Sequence, residues 1–199
     1  ALATLRTGKP VQWEMTRNEE FTATNSRHAM TIKLKTGVKA DGTIIAQDLG
    51  IIANTGAYGN HGKTVVFLSG YIPLGLYRCD NKRFTAHAVY TNTMPGGAFR
   101  GYGATQGTFA MESQIDDIAN QLGLDVIEIR QKNLIRPGDL VSLGNSGEHF
   151  NLIGSYAVEE CFTQVLKTLN YVPGQPPVIN KNRRRGVGFA VSMQGRGLC

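Results

Sequence analysis

The chain has 199 residues and a formal net charge of +6, with hydrophobic residues at 41% and charged residues at 18%. That composition excludes a disordered tail, which is poor in aliphatics and rich in net charge, and no apolar run approaches the ~20 residues that a membrane helix needs. Glycine is in excess, 24 residues against a usual share of about 7%, but without the period of collagen, and the length suits one large domain or two small ones around a real core.

In chain order, Ala1-Leu2-Ala3-Thr4-Leu5-Arg6 reads as the last turns of a helix that Lys9-Pro10 ends. Val11-Gln12-Trp13-Glu14-Met15 alternates and is expected to be a strand. The polar run Thr16 to His28 follows as a loop or short helix, with Glu19-Glu20 suited to a helix N-terminus. Met30-Thr31-Ile32-Lys33-Leu34-Lys35 alternates with period two, Asp41-Gly42 signals a hairpin turn, and Thr43 to Ala53 is the partner strand. Asn54 to Leu76 has several glycines and no clean period, which predicts loops with one short helix at Val65 to Leu68. Arg83 to Tyr90 alternates again, with Phe84, Ala86 and Ala88 on one face. From Gln106, residues Met111, Ile115, Ile118 and Leu122 recur at helical spacing until Gly123 stops the helix. Asp125-Val126-Ile127-Glu128 predicts a capping box for a second helix ending near Asn133. After the turn Arg136-Pro137-Gly138-Asp139, Ser155 is expected to cap a third helix with Val158, Cys161, Phe162, Val165 and Leu169 on one face. A final strand is expected from Arg185 or Gly186 to Met193. Strands and helices mix without strict alternation, so the predicted class is α+β.

Neither end reads as a natural terminus: there is no initiator Met or targeting signal, and an excised piece of a longer polypeptide is expected. Cys79, Cys161 and Cys199 form no CxxC pair and no even disulfide framework, which points to a reducing compartment and to no zinc site. His28, His61, His87 and His149 lack HxxxH or HExxH spacing. His28, beside Arg27, is expected to be a structural hydrogen-bonder, Asp116 and Asp117 to face water, and Cys161 to be a buried small hydrophobe. Lys181, Arg183, Arg184 and Arg185 concentrate most of the excess charge just after Pro173-Gly174-Gln175-Pro176-Pro177. They lack the aromatic interleaving of a nucleic-acid binder, so a solvated connector or subunit contact is favoured. A basic module that docks an acidic partner is the competing function.

The informative segment is Pro95-Gly96-Gly97-Ala98-Phe99-Arg100-Gly101-Tyr102-Gly103, with four glycines, one arginine and two aromatics between strand and helix. Glycines permit φ > 0 and close approach to the main chain. Amides ahead of a helix can point at anionic or oxo groups. Arg100 adds a planar fork suited to phosphate, and Tyr102 a flat wall. No Gly-Lys-Ser/Thr follows, and the spacing is not that of a dinucleotide fingerprint. On the residues alone, an anion-binding elbow and a tight turn that needs glycines for geometry are equally good readings.

The string Gly97-Ala98-Phe99-Arg100-Gly101-Tyr102-Gly103-Ala104-Thr105-Gln106 resembles the AFRGxG(x)xQ segment of the molybdenum hydroxylases, the xanthine dehydrogenase and aldehyde oxidase family. Other features line up in order: Thr7-Gly8-Lys9-Pro10-Val11, Arg17-Asn18-Glu19-Glu20, Arg27-His28, Lys35-Thr36-Gly37, Asp41-Gly42-Thr43-Ile44, Asn54-Thr55-Gly56-Ala57-Tyr58, and Leu122-Gly123-Leu124-Asp125 through Glu128-Ile129-Arg130 to Lys132-Asn133-Leu134. Val126 stands where many members have proline. The resemblance covers essentially the whole chain.

It implies an α+β fold of two-layer mixed sheets and helices of the molybdopterin-binding type. Residues 1–135 would be the main unit with a cofactor elbow at 95–106; residues 136–199 would be a connector, a helix over 155–170 and the start of the next strand unit. Ala98, Phe99, Arg100 and Gly101 would bind molybdopterin, and Tyr102 would wall the substrate pocket. The family's glutamate base lies in an EGxG-type motif near the end of the full-length subunit, and an FGGK-E segment precedes this region; neither occurs here. The resemblance therefore implies no catalytic residue and no metal ligand in this chain, and no turnover by it alone. The implied function is a fragment of the molybdopterin-binding subunit of a molybdenum-dependent hydroxylase. It would act on an aromatic heterocycle or aldehyde with water as oxygen source. Iron-sulfur clusters and FAD would sit on partner domains or subunits of a cytoplasmic oligomer, without membrane or nucleic acid. Counting back from the elbow puts Leu68 where purine-oxidising members carry an arginine, and Lys63 is the only basic residue between Asn60 and Tyr77; this weighs against xanthine itself. A reductive member acting on an aromatic thioester and a carbon-monoxide-oxidising one are the alternatives within the family.

Overall fold

The alternation of residues 30–56 folds as the expected hairpin. β1 (Met30–Val38) and β2 (Ile44–Gly56) pair antiparallel, Met30 opposite Ala53 and Leu34 opposite Leu49, around Gly42 at φ 80. In the computed structural model, which describes residues 1–141, 151–152, 156–173, 179–180, 183–184 and 186–193, β3 (Lys82–Tyr90) adds to β2 in parallel, giving the order β1-β2-β3.

A parallel pair requires a crossover, and α3 (Gly62–Leu76) supplies it. This helix is much longer than the short helix expected at Val65 to Leu68. Val65, Val66, Leu68, Ile72, Leu74 and Leu76 are all buried, and a helix covered on nearly every side has no polar face to impose a period. Its small residues let neighbours in: a Cβ on Gly70 would overlap the Phe84 ring of β3.

α4 (Ala104–Leu122) lies directly on α3, with Gly103 and Gly107 so close that a Cβ on either would overlap the carbonyl oxygens of Val65 and Ser69. Met111, Ile115 and Ala119 of α4 are fully buried in the core with Leu49, Ile51 and Leu74. Gly123 ends the helix in the left-handed conformation, as expected. α5 (Val126–Asn133) starts at Asp125, whose carboxylate accepts from the amides of Ile127 and Glu128 at 2.8 and 3.2 Å. Asn133 closes back on the hairpin, accepting from the Ile44 amide and donating to the Gly42 carbonyl, both at 2.9 Å. Helices α3 and α4 cover one face of the sheet, while Lys33 and Lys35 stay on the wet face. The architecture is α+β.

The core contains an ionic network. Arg130 is fully buried and reaches Glu112 Oε2 and Asp116 Oδ1, each at 2.8 Å. The Tyr77 hydroxyl donates to Glu112 Oε1 at 2.6 Å, and the Val191 amide to Oε2 at 2.9 Å. Burial, with the Glu112 charge second, raises the Tyr77 phenol far above its ordinary range, so it remains a donor. Asp116 is thus the second carboxylate on Arg130 and does not simply face water.

Other expectations are corrected. Residues 11–15 form no strand; Trp13 is 75% exposed, and among the described residues no neighbour offers a ladder. α1 (Leu2–Thr7) precedes them, and α2 (Arg17–Ala23) follows, opened by a capping box between Thr16 and Glu19. On α6 (Val158–Leu169), Val158, Phe162 and Leu166 pack toward the core, whereas Cys161, Val165 and Leu169 are exposed. The apolar stripe is wider than the contact, so Cys161 is not a buried hydrophobe. Residues 186–193 form no strand ladder among the described residues, although Phe189, Val191 and Met193 do alternate onto the core. Two short pairs, β4 (Leu140–Val141) with β5 (Asn151–Leu152) and β6 (Ile179–Asn180) with β7 (Arg183–Arg184), complete the described elements. Ala157 precedes α6 as its cap residue. Ser155, His149, Lys181, Arg185, Cys199 and the side chains of Arg183 and Arg184 lie outside the described residues.

Removing one partner of a buried ion pair leaves the other charge uncompensated. Arg130→Ala or Glu112→Ala should lower the unfolding free energy by about 3–5 kcal/mol in urea titration. Asp116→Ala, at the solvated end of the network, should cost about 1 kcal/mol or less. Equal losses for the three would reject this hierarchy.

Candidate functional site

The elbow begins where β2 and β3 end side by side. Asn54 ties the two exits together: its side chain accepts from the Gly56 amide at 2.8 Å and the Thr91 hydroxyl at 2.7 Å, and donates to Thr93 at 3.1 Å. The Gly96 amide donates to the Thr55 carbonyl at 3.0 Å and the Gly97 amide to the Ser26 carbonyl at 2.9 Å. Both glycines are buried against the 25–28 loop, where a Cβ would come within 2.6 Å of the His28 ring or of Asn25. They serve close packing within the protein.

Beyond them the chain turns outward. Ala98, Phe99 and Arg100 are exposed. Gly101, Tyr102 and Gly103 follow at φ 92, 47 and 96. Three successive left-handed residues are costly when the middle one carries a side chain. The turn is closed by the Tyr102 amide on the Phe99 carbonyl at 2.7 Å and the Ala104 amide on the Gly101 carbonyl at 2.9 Å. Among the described residues, the amides of Ala98, Phe99, Arg100 and Gly101 find no backbone acceptor. Arg100, among the described residues, enters the hydrogen bonding there through its carbonyl, not its guanidinium. Four consecutive amides and the guanidinium of an exposed arginine are therefore left without a protein acceptor among the described residues.

Tyr102 sits over Leu68, Ile72 and Ala104, and its hydroxyl hydrogen-bonds His61 Nδ1, with the rings edge-to-face at 5.6 Å between centroids. Leu68 is thus apolar floor beneath the tyrosine. Arg27 grips the elbow from the 25–28 loop: Nη2 donates to the Arg100 carbonyl at 2.8 Å, Nη1 to Thr105 Oγ1 at 2.6 Å, and the guanidinium lies 4.5 Å from the Phe99 ring centroid. Gln106 bonds the His28 carbonyl at 3.2 Å.

All five residues singled out from the sequence, Ala98 to Tyr102, therefore lie on one short outward turn. Sequence reasoning missed the roles of Arg27 and His61. Their partners are far along the chain, and no local spacing signals them. His28 also departs from expectation: it is 2% exposed, and both ring nitrogens lack a partner among the described residues. Burial, and then the neighbouring His61, holds its pKa below the ordinary value, so it is a neutral packing residue. Among the described residues no group of three His, Cys, Asp or Glu side chains could hold a metal ion, and no helix is long and apolar enough to cross a membrane.

Comparison with known proteins adds to this geometry. Residues 1–134 match the family model described as the molybdopterin cofactor-binding domain. Across its full length the chain is 38% identical to the probable hypoxanthine oxidase XdhD of Escherichia coli strain K12, of which it covers 21%. Over 92% of its length it is 39% identical to the xanthine dehydrogenase molybdenum-binding subunit of Escherichia coli O157:H7, of which it covers 24%. Among solved structures, the aldehyde oxidoreductase from Desulfovibrio gigas superposes with a TM-score of 0.70 at 32% identity, over 85% of this chain and 18% of that one. The chain thus spans between a fifth and about a quarter of the length of these curated relatives.

A histidine held neutral by the fold, with a lowered folded pKa, contributes stability that is complete above its unfolded value near ~6.5 and is lost as pH falls through the folded value. The urea midpoint should therefore drop between pH 7 and pH 5, and His28→Gln should flatten that drop. An unchanged slope in the variant would reject a neutral, buried His28.

Proposed function

The chain belongs to the molybdopterin cofactor-binding domain family, and from this premise we propose that it is the elbow-bearing segment of the molybdopterin-binding subunit of a molybdenum-dependent hydroxylase. The observation that carries the proposal is the run of four amides, Ala98 to Gly101, that have no backbone acceptor among the described residues, beside the Arg100 guanidinium. That donor set fits an anionic, oxo-rich group that also bears a phosphate: amide dipoles suit oxo oxygens, and a planar fork suits phosphate. When bound, the cofactor supplies oxidation–reduction chemistry at molybdenum.

The chain's own residues bind and orient. The amides of Ala98, Phe99, Arg100 and Gly101 would hold the oxo-bearing end of the cofactor, and the Arg100 side chain would hold its phosphate. Tyr102 walls the substrate pocket, its ring fixed by the bond to His61 and the apolar floor at Leu68. That wall suits a flat aromatic heterocycle or a small aldehyde. A leucine in place of a charged group there weighs against a substrate that needs an arginine to orient it, xanthine among them. The base that moves the proton lies outside this chain, so the segment alone has no turnover. Its partners would be iron-sulfur and FAD domains or subunits of a cytoplasmic assembly.

Arg100→Ala in the complete subunit should reduce molybdenum content roughly tenfold or more, from losing charge-assisted hydrogen bonds of about 1.5–3 kcal/mol; full molybdenum content would sink the assignment. Tyr102→Ala should raise KM for aromatic substrates by roughly two- to tenfold, the scale of an aromatic contact worth about 0.5–1.5 kcal/mol. An unchanged KM across an aromatic series would remove Tyr102 from the pocket.

A further inference from the structure

We propose that Arg27 is a positioning residue that aims the elbow's amides outward; the proposal rests on the reading of the elbow as the cofactor's cradle. Arg27 stands 73 residues from Arg100 in the chain, yet its guanidinium touches both limbs of the turn. On the outgoing limb, Nη2 holds the Arg100 carbonyl at 2.8 Å and the cation lies 4.5 Å from the Phe99 ring centroid. On the returning limb, Nη1 holds Thr105 Oγ1 at 2.6 Å and approaches Gln106 Oε1 at 3.3 Å.

Carbonyl and N–H of one planar trans peptide unit point in opposite directions. The Arg100 carbonyl is drawn toward Arg27, so the Gly101 N–H in the same unit is turned away from it. The Phe99 carbonyl is held by the Tyr102 amide across the turn, so the Arg100 N–H in that peptide unit points away from Tyr102. Gly101 could rotate this peptide freely, because glycine tolerates either sign of φ; the Arg27 bond removes that freedom. A lysine could reach one limb but not both, since it lacks the rigid fork and the flat face that lies on Phe99.

A structural role is a poor account of these contacts. Arg100 is exposed, so losing Arg27 leaves its carbonyl to water and strands no buried group. Arg27 and Arg100 also differ in kind: the Arg27 guanidinium is engaged with protein acceptors on both limbs, which leaves Arg100 to meet the ligand.

The test uses the full-length protein that carries this segment, as wild type, Arg27→Ala and Arg27→Lys. Three quantities are read: molybdenum and pterin content, hydrogen–deuterium exchange of the peptide spanning 98–101 with and without cofactor, and the melting temperature of the cofactor-free protein. Arg27→Ala should retain about a tenth of the wild-type cofactor, lose the cofactor-dependent protection at 98–101, and melt like wild type when cofactor-free. Arg27→Lys should fall between the two. An alanine variant with wild-type content and protection would overturn the proposal while leaving the elbow reading intact, as would a lysine variant equal to wild type. Loss of cofactor accompanied by a lowered cofactor-free melting temperature would assign Arg27 a structural role instead. Absence of cofactor-dependent protection at 98–101 in the wild type would overturn the elbow reading, and the Arg27 proposal with it.

Discussion

The elbow's position depends on how closely α4 can approach α3. Gly103 and Gly107 are four residues apart and so share a face of α4; they rest on the carbonyls of Val65 and Ser69, themselves four apart on α3. No residue larger than glycine fits at either point without moving a backbone. α3 in turn has little freedom, because it is the crossover of the parallel β2–β3 pair and is buried on nearly all sides. Fixing α4 on α3 therefore places the turn ahead of α4 above the carboxyl ends of β2 and β3. In sheets with parallel strands that end is where backbone donors and loops converge on ligands.

A second tie fixes α4 further along its length. Glu112 collects donors from three separate segments: the Tyr77 hydroxyl just after α3, Arg130 on α5, and the Val191 amide in the run 186–193 after β7. A buried ion pair is weak evidence of net stability, because desolvation offsets the Coulombic gain. Its directional bonds still specify which segments meet, and an apolar substitute would not. The helix is thus held by close packing at its first turns and by directed polar bonds two turns on, and the elbow inherits both restraints.

What was legible in the sequence follows from burial. β1, β2, β3, α4 and α5 each expose one face, so each leaves a period of two or of about 3.6 in its residues. α3 exposes almost none, and its glycines and Pro73 read as loop. Alternation reports which side of a strand faces inward, not whether a partner exists. Residues 186–193 therefore carry the right inward set without a ladder, and 11–15 alternate in solvent. The chemistry of the elbow was legible because it is local: glycines, one arginine and two aromatics in nine residues. The Arg27 clamp and the His61–Tyr102 bond were not, since they join residues 73 to 79 and 41 apart.

The glycine-rich segment also admitted a purely geometric reading, and its details separate the two. Gly96, Gly97 and Gly103 are explained by packing alone, since a side chain at each would collide with protein. A connector would need nothing more. Exposed amides without protein partners are not unusual in themselves either, because water satisfies them. What a connector does not need is restraint on its outward limb. Ordering exposed residues costs roughly 1–2 kcal/mol each, and a left-handed tyrosine adds about 1–3 kcal/mol of strain. Here that limb is ordered by an arginine fork on one side and a tyrosine–histidine bond on the other. Restraint on a limb whose leading residues, Ala98 to Arg100, stay exposed favours a turn whose shape matters to something that binds it.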